Sequence, residues 1–207
     1  MQDARRMPNT PSHNPFTQFF NTLLANSTLK SSLYHLQHES GFNLNIALYL
    51  IWFAQSSFGR LSRRQIKMLQ AQIVLWHQRV IAELKYTHAL IANHADPIAI
   101  QIREALEVEI AKAYQIEQQM LYESQSNVKT LKRKKIQQLN DACVSIVHYC
   151  ELKNDLLIDE DEAAFFKIIC AVFHDMDHDD IQKQLMRAFA QLRHPSNRPM
   201  QMTWEEF

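Results

Sequence analysis

Glycine is almost missing from this chain: Gly41 and Gly59 are the two glycines in 207 residues. Proteins use glycine at about 7% of positions on average, and hairpin turns and phosphate-binding loops depend on it. The patterns GxGxxG, GxxxxGK[ST] and GxSxG are therefore absent, so nucleotide-binding loops and a nucleophile elbow have no support. A chain poor in glycine and rich in Leu, Ile, Ala, Gln, Glu and Lys is predicted to be all-α.

The chain also has only three cysteines, no net charge and no long apolar run. Cys143, Cys150 and Cys170 include no CxxC pair, which argues against a disulfide framework or a zinc ribbon. Lys+Arg and Asp+Glu number 22 each, so no global charge steers the chain to nucleic acid or a membrane. The longest apolar run, Ile46 to Ala54, is shorter than the about 20 residues of a membrane span, and the N-terminus lacks the apolar region of a signal peptide. We therefore expect a cytoplasmic protein with no transmembrane segment and no cofactor.

The residues that are present, 46% of them hydrophobic, follow helical periodicity. Asn14–Pro15, Ser62 and Asp96–Pro97 are typical helix starts, and Gly41 and Gly59 are placed where helices end. These signals predict a bundle of about eight helices, over 15–26, 29–39, 44–56, 63–93, 97–124, 128–152, 160–174 and 179–193. The long helices 63–93 and 97–124 should form an antiparallel αα-hairpin, because the connection between them is short.

The sequence changes character at 124–127, which suggests a division of the chain. Residues 14–125 would form a helical module, and residues 128–193 a three-helix addition packed on it. Residues 1–13 are polar and contain two prolines, so we expect them to be disordered, and we expect a flexible tail over 194–207.

A block of residues in the first half points to a family. It consists of Leu36, Gln37, Gly41, Asn45 and Trp52, and further features follow it: Trp76, Val80 and Ile81, and a glutamate-rich helix with Glu107, Glu109 and Glu117. Over residues 15–125 this pattern resembles an uncharacterised proteobacterial family of small helical proteins of unknown function. The resemblance implies a soluble bacterial helical protein and no established activity.

Five positions of this pattern are predicted to be structural: Gln37, Gly41, Asn45, Trp52 and Trp76. Gly41 suits a turn, and the Asn45 amide is placed to bond free backbone groups at the junction of the second and third helices. The two tryptophans should be large core anchors that each need a partner for the indole N–H.

The segment from His174 to Asp180 is the sharpest candidate for chemistry. His174, Asp175 and His178 offer ligand types that suit zinc, manganese or iron, and the two histidines would share a face if they were helical. Alternatively, His174 stabilises the end of one helix and the aspartates cap the start of the next. A second metal hypothesis places His35 and His38, with Glu39, at a surface.

A basic run comprises Lys129, Lys132, Arg133, Lys134 and Lys135. It could bind phosphates of nucleic acid or anionic lipid, contact a partner protein, or pair internally with the acidic run 159–162. Trp204 and Phe207 in the tail could likewise dock into a partner, or belong to a frayed terminus.

No catalytic constellation emerges from these residues. We therefore expect a non-enzymatic adaptor or structural subunit of a larger cytoplasmic assembly, with at least one protein partner. The alternatives are a metal-dependent hydrolase-like site at His174 and His178, and a phosphate-binding regulator acting through 132–135.

Overall fold

A computed structural model describes residues 14–153 and 157–193, and within them it contains helices and no strand. The helices are α1 (Pro15–Ala25), α2 (Lys30–Tyr34), α3 (Leu44–Gln55), α4 (Arg63–Trp76), α5 (Ala82–Leu90), α6 (Pro97–Glu123), α7 (Lys135–Lys153), α8 (Asp159–Val172) and α9 (His178–Arg193). A 3₁₀ turn (Ser27–Leu29) leads into α2, a π-helical segment (His35–Glu39) extends α2, and a second one (His77–Ile81) joins α4 to α5. The all-α prediction is confirmed. The expectations for 1–13 and 194–207, including Trp204 and Phe207, lie outside the described residues.

Helix starts follow the sequence closely. The Asn14 side chain accepts a hydrogen bond from the Thr17 amide, and Asp96 does the same for Ile98, each followed by proline at the first helical position. Ser62 and Gln65 form a capping box at the start of α4. All three predicted caps are confirmed.

One predicted helix end is right and one is wrong. Gly41 follows the π-helical extension of α2 with φ +64°, the left-handed conformation that favours glycine. After α3, which ends at Gln55, the first residue with a positive φ is Ser57 (φ +67°); Gly59 (φ +94°) comes two residues later and is not where the helix ends. Ser57 is held there because its carbonyl accepts from the Leu131 amide and its hydroxyl accepts from Gln138 Nε2, both at 2.7 Å.

The helix predicted over 128–152 begins later than expected, at Lys135. Residues 128–134 are instead non-helical, and the Leu131 amide bonds to Ser57 rather than to a helical carbonyl. A Cβ at Gly59 (φ +94°) would lie 3.0 Å from Leu131 Cδ1, so this glycine permits the close approach. Lys134 directly precedes α7 and Lys135 is its first residue, so positive charge remains at this helix N-terminus, where it is unfavourable.

Helix α3 is the centre of the molecule. It is buried from Leu44 to Ala54, and α7 packs against it, with α1 and α6 on other sides. Trp52 lies in the core as predicted, with its ring centroid 5.5 Å from that of Phe16 and 5.7 Å from that of Tyr122. No helix among the described residues is long and apolar enough to cross a bilayer.

The C-terminal helices share this core. Buried side chains of α7, α8 and α9 belong to the same continuous cluster as those of α1 and α3. Cys143 and Cys150 are buried within it, and burial raises the pKa of the Cys143 thiol to about 12. These cysteines are therefore packing residues rather than nucleophiles.

The predicted αα-hairpin is present. Gln72 Nε2 donates to the Met120 carbonyl and Trp76 Nε1 donates to the Ala113 carbonyl, at 3.0 and 2.9 Å. Near the tip, an Arg103 guanidinium N–H donates to the Ala92 carbonyl at 2.8 Å. The pairings show that α6 runs antiparallel to the α4–α5 rod.

Candidate functional site

A buried carboxylate lies where α3, α4 and α6 meet. Glu117, on the inner face of α6, is 0% exposed. Its Oε1 accepts hydrogen bonds from Asn43 Nδ2 at 2.9 Å and Asn45 Nδ2 at 3.0 Å, and its Oε2 lies 2.8 Å from His77 Nδ1. Both oxygens are engaged, which offsets the cost of removing the carboxylate from water.

Local secondary structure orients the side chains of Asn43 and His77 towards Glu117. Asn43 is the N-cap of α3, with Oδ1 accepting from the Ile46 amide at 3.1 Å, so its Nδ2 is left for Glu117. His77 is the first residue of a π-helical segment, a feature common near functional sites. The prediction that Asn45 serves backbone groups at the α2–α3 junction is wrong in its main point. Asn43 does the capping, and Asn45 donates to the Glu117 carboxylate, with one longer contact of 3.4 Å to the Tyr114 carbonyl.

A second layer of polar side chains extends from this carboxylate. Asn45 Oδ1 accepts from Gln118 Nε2 at 3.0 Å, and Gln37 Nε2 donates to the Tyr114 hydroxyl at 3.2 Å. Burial, followed by the nearby Glu117 charge, raises the pKa of Tyr114, so its hydroxyl stays neutral. Within residues 14–153 and 157–193, Gln118 Oε1 has no hydrogen-bond partner although the residue is buried.

One concave surface adjoins this network, and a second lies along α4. A cavity of about 310 Å³ is bounded by α1, the first π-helical segment, α3 and α6, and Gln37, Asn45, Tyr114 and Gln118 line it. A groove of about 690 Å³ lies between α4 and the turn at 124–128. We call these the amide cavity and the α4 groove.

Two residues of the basic run form ion pairs with two different aspartates. Arg133 Nε lies 3.2 Å from Asp141 Oδ2, and Lys135 Nζ lies 3.4 Å from Asp175 Oδ2. Burial raises the pKa of the Asp141 carboxyl, while Arg133 and Arg60 oppose that shift. Arg133 therefore pairs with Asp141, and Lys135 pairs with Asp175. One of the predictions had instead paired the basic run with the acidic run 159–162.

The acidic run has a different partner in Asp161. His35 Nε2 lies 2.9 Å from Asp161 Oδ1, and His35 Nδ1 lies 2.6 Å from Glu39 Oε2. The Ser40 hydroxyl also donates to Asp161. With a carboxylate at each ring nitrogen, His35 links the π-helical end of α2 to the start of α8 rather than binding a metal with His38.

The hydrogen bond to Glu39, followed by that to Asp161, raises the pKa of His35 above 6.5, against an opposing effect of burial. A raised pKa in the folded state stabilises the fold fully below the unfolded value and loses its effect as pH rises through the folded pKa. We expect His35→Gln to cost about 1.5 kcal/mol at pH 5.5, a charge-assisted hydrogen bond being lost, and clearly less at pH 8.5. Urea unfolding at the two pH values measures this difference. His94→Gln, at an exposed turn residue, is the control, and an equal cost of His35→Gln at both pH values would contradict the assignment.

The proposed metal ligands are not brought together. His174 and Asp175 lie in the exposed turn after α8, while His178 begins α9, so the histidines do not share a helix face. The Asp177 carboxylate accepts from the Asp179 amide at 2.8 Å, which is the capping role considered as the alternative. Among the described residues, no three His, Cys, Asp or Glu side chains are arranged to hold a metal ion. A metal at His174, Asp175 and His178 thus gains no geometric support.

Sequence reasoning did not identify Asn43, His77 or Gln118 as parts of a site. A signal existed for Glu117, since it follows Ala113 and precedes Leu121 at four-residue spacing on the buried face of α6. No comparable signal marked His77, because its position depends on the π-helical segment.

The family comparison covers this network. A model of the family described as "Protein of unknown function (DUF2390)" matches residues 16–123, just over half of the chain. No curated protein and no solved structure gives a match. The matched range holds Asn43, Asn45, His77, Glu117 and Gln118, whereas α7–α9 lie beyond it. The chain belongs to the DUF2390 family, and the network around Glu117 lies within its family segment.

Proposed function

We propose that this protein is a non-enzymatic adaptor or structural subunit of a larger cytoplasmic assembly, and that it binds an acidic amphipathic helix of a partner protein. The observation that supports this function is the α4 groove, which combines an apolar floor with a basic border. Helices that lie in such grooves are a common mode of protein recognition.

The floor of the α4 groove is apolar and its edges are exposed. Phe53, Leu61 and Leu69 are buried beneath it, while Met68 and Val128 on its edges are 63% and 39% exposed. Exposed apolar side chains around a concave surface mark interaction sites, and methionine adapts to different partner side chains. Leu75 continues the surface, because a seven-residue spacing places it on the same face of α4 as Met68.

The charges beside the groove favour an acidic partner. Lys67 adjoins Met68 in α4, and Lys129 adjoins Val128 on the opposite edge; both are exposed. Lys132 and Lys134 follow in the same exposed segment. Glu123, next to the groove residue Ser124, accepts a hydrogen bond from Gln119 Nε2 at 2.8 Å.

The test is a comparison of partner binding by the tagged wild-type chain and by Met68→Glu. We expect a stoichiometric partner whose acidic helical segment cross-links to Lys67 or Lys129, and whose synthetic peptide binds at least about tenfold more weakly to Met68→Glu. Met186→Glu is the matched control, since Met186 is 55% exposed on α9, outside the residues that line the groove. Binding of the peptide should weaken as salt increases, because the charges are at the surface.

Other outcomes would overturn the proposal. If sedimentation shows a wild-type dimer that Met68→Glu dissociates, the occupant of the groove is a second copy of the chain. If the lysines bind nucleic acid or anionic vesicles and no protein, the phosphate-binding alternative takes precedence. A partner retained fully by Met68→Glu would place the interface elsewhere.

A further inference from the structure

The outer half of the αα-hairpin has little packing of its own. None of the described residues 82–112, which comprise α5, the turn after it and the first part of α6, is buried. Most of the stability of a helix in a protein comes from packing an apolar face, and a helix without such packing is marginal in water. The arm, as we call residues 82–112, therefore lacks a cover on its outer side.

We infer that two copies of this chain cover each other's arms, in a dimer whose α6 helices pack antiparallel about a two-fold axis at Val108. The contact surface, which we call the outward stripe, has residues three and four positions apart along α6. It consists of Gln101, Glu104, Val108, Ala111 and Gln115, with Ala105 and Lys112 along one edge. Residues at this spacing share one helix face and form the seam between paired helices. All of them are exposed except Gln115, which is half-buried.

The charges of the outward stripe are complementary to themselves when the helix is reversed. A two-fold axis at Val108 places each residue opposite the one that lies equally far beyond the axis. Glu104 and Lys112 are each four residues from Val108, so Glu104 of each copy meets Lys112 of the partner subunit. Two carboxylate–ammonium pairs, related by the axis, therefore form across the interface.

These charges also select the antiparallel orientation. In a parallel pair, Glu104 would lie against Glu104 and Lys112 against Lys112, and like charges that face each other are unfavourable. Lys112 Nζ lies 2.7 Å from Glu109 Oε1 within the chain, but both side chains are more than half exposed. The ammonium has three N–H donors, so Lys112 can bond to Glu104 of the partner subunit and keep Glu109.

The uncharged positions of the stripe obey the same symmetry. Ala105 and Ala111 are each three residues from Val108, and Gln101 and Gln115 are each seven residues from it. The alanines allow the two helices to approach closely, so that Val108, 53% exposed in one copy, is covered by its symmetry mate. The stripe is about 21 Å long, which is short for a protein interface. We therefore expect a weak dimer that dissociates at about 10–100 µM.

Sedimentation velocity of the full-length chain up to about 500 µM tests the dimer. Glu104→Lys should weaken association at least about tenfold, because like charges then face each other at two symmetric places. Lys112→Glu should have the same effect. The double variant Glu104→Lys/Lys112→Glu should restore the wild-type affinity, because opposite charges meet again. Glu83→Lys, an equal change of charge at an exposed position of α5, is the matched control and should leave the dimer intact.

Two further variants separate this surface from the α4 groove. Val108→Glu places two carboxylates at the axis and should also weaken the dimer at least about tenfold. Met68→Glu should leave the dimer intact, because no residue of the outward stripe lines the groove. Thermal melting of dilute samples checks that each variant is folded.

Several results would contradict the dimer at Val108. They are a wild-type chain that stays monomeric up to about 500 µM, single charge variants that dimerise like the wild type, and a folded double variant that does not recover. A dimer that Met68→Glu dissociates would form through the α4 groove. If the chain is a monomer and Glu104→Lys instead releases another protein, that protein is the occupant of the arm.

Discussion

Replacing Glu117 by alanine should lower the free energy of unfolding by about 3 kcal/mol, since it orphans the buried Asn45 amide and leaves a cavity in the core. The loss should be larger than that of most single substitutions, because one side chain satisfies donors from α3 and from the segment that follows α4. Urea unfolding followed by circular dichroism measures it.

The control for this experiment lies on the same helix. Glu107→Ala removes an exposed carboxylate with one histidine contact at 3.2 Å, and should change the free energy of unfolding by less than about 0.5 kcal/mol. Glu117→Gln retains one acceptor and should fall between the two. A Glu117→Ala variant as stable as Glu107→Ala would show that the Glu117 network contributes no net stability.

Ending the chain after residue 127 should prevent folding of the remaining helices. Helix α7 covers α3, and it also supplies the Tyr149 hydroxyl to which the Asn43 amide donates and the Ser145 hydroxyl to which the Leu61 amide donates. The buried side chains of α7, α8 and α9 belong to the same core as those of α1 and α3. The free energy lost when these helices are removed should therefore exceed the about 5–15 kcal/mol of net stability that is typical of a domain. The fragment 1–127 is therefore expected to be insoluble or to give no cooperative thermal transition.

Co-expression supplies the control for this truncation. Residues 128–207 produced as a separate chain should restore soluble protein, because the missing cover of α3 is then available. If fragment 1–127 alone melted cooperatively near the full-length temperature, residues 14–125 would be the independent module that the sequence suggests, and α7–α9 an accessory to it.

The sequence predicts the helices well because their signals are local. Asn14–Pro15, Ser62 and Asp96–Pro97 cap their helices as expected, since capping depends on residues only a few positions apart. The start of α7 was misplaced because it depends on a contact between Leu131 and Ser57, which are far apart in the chain. Local periodicity carries no information about such a contact.

The same contrast between local signals and long-range contacts explains which parts of the site the sequence predicted. Gln37 and Asn45 were identified through the family pattern, yet their partners, Tyr114 and Glu117, lie 77 and 72 residues further along the chain. His174 and His178 are close in sequence, but the turn between α8 and α9 separates them. Spacing along the chain therefore suggested a metal site there, whereas the polar network depends on how α3 and α6 pack.

The π-helical segment at His77–Ile81 constrains how this protein can evolve. Each residue of an α-helix turns the following chain by about 100°, so losing one residue between 77 and 81 would rotate α5 against α6. It would also move His77 away from Glu117, or move Ile81 out of its buried position. Insertions and deletions in this hairpin should therefore accumulate among descendants at the exposed turn 92–96, and hardly ever in the segment between α4 and α5.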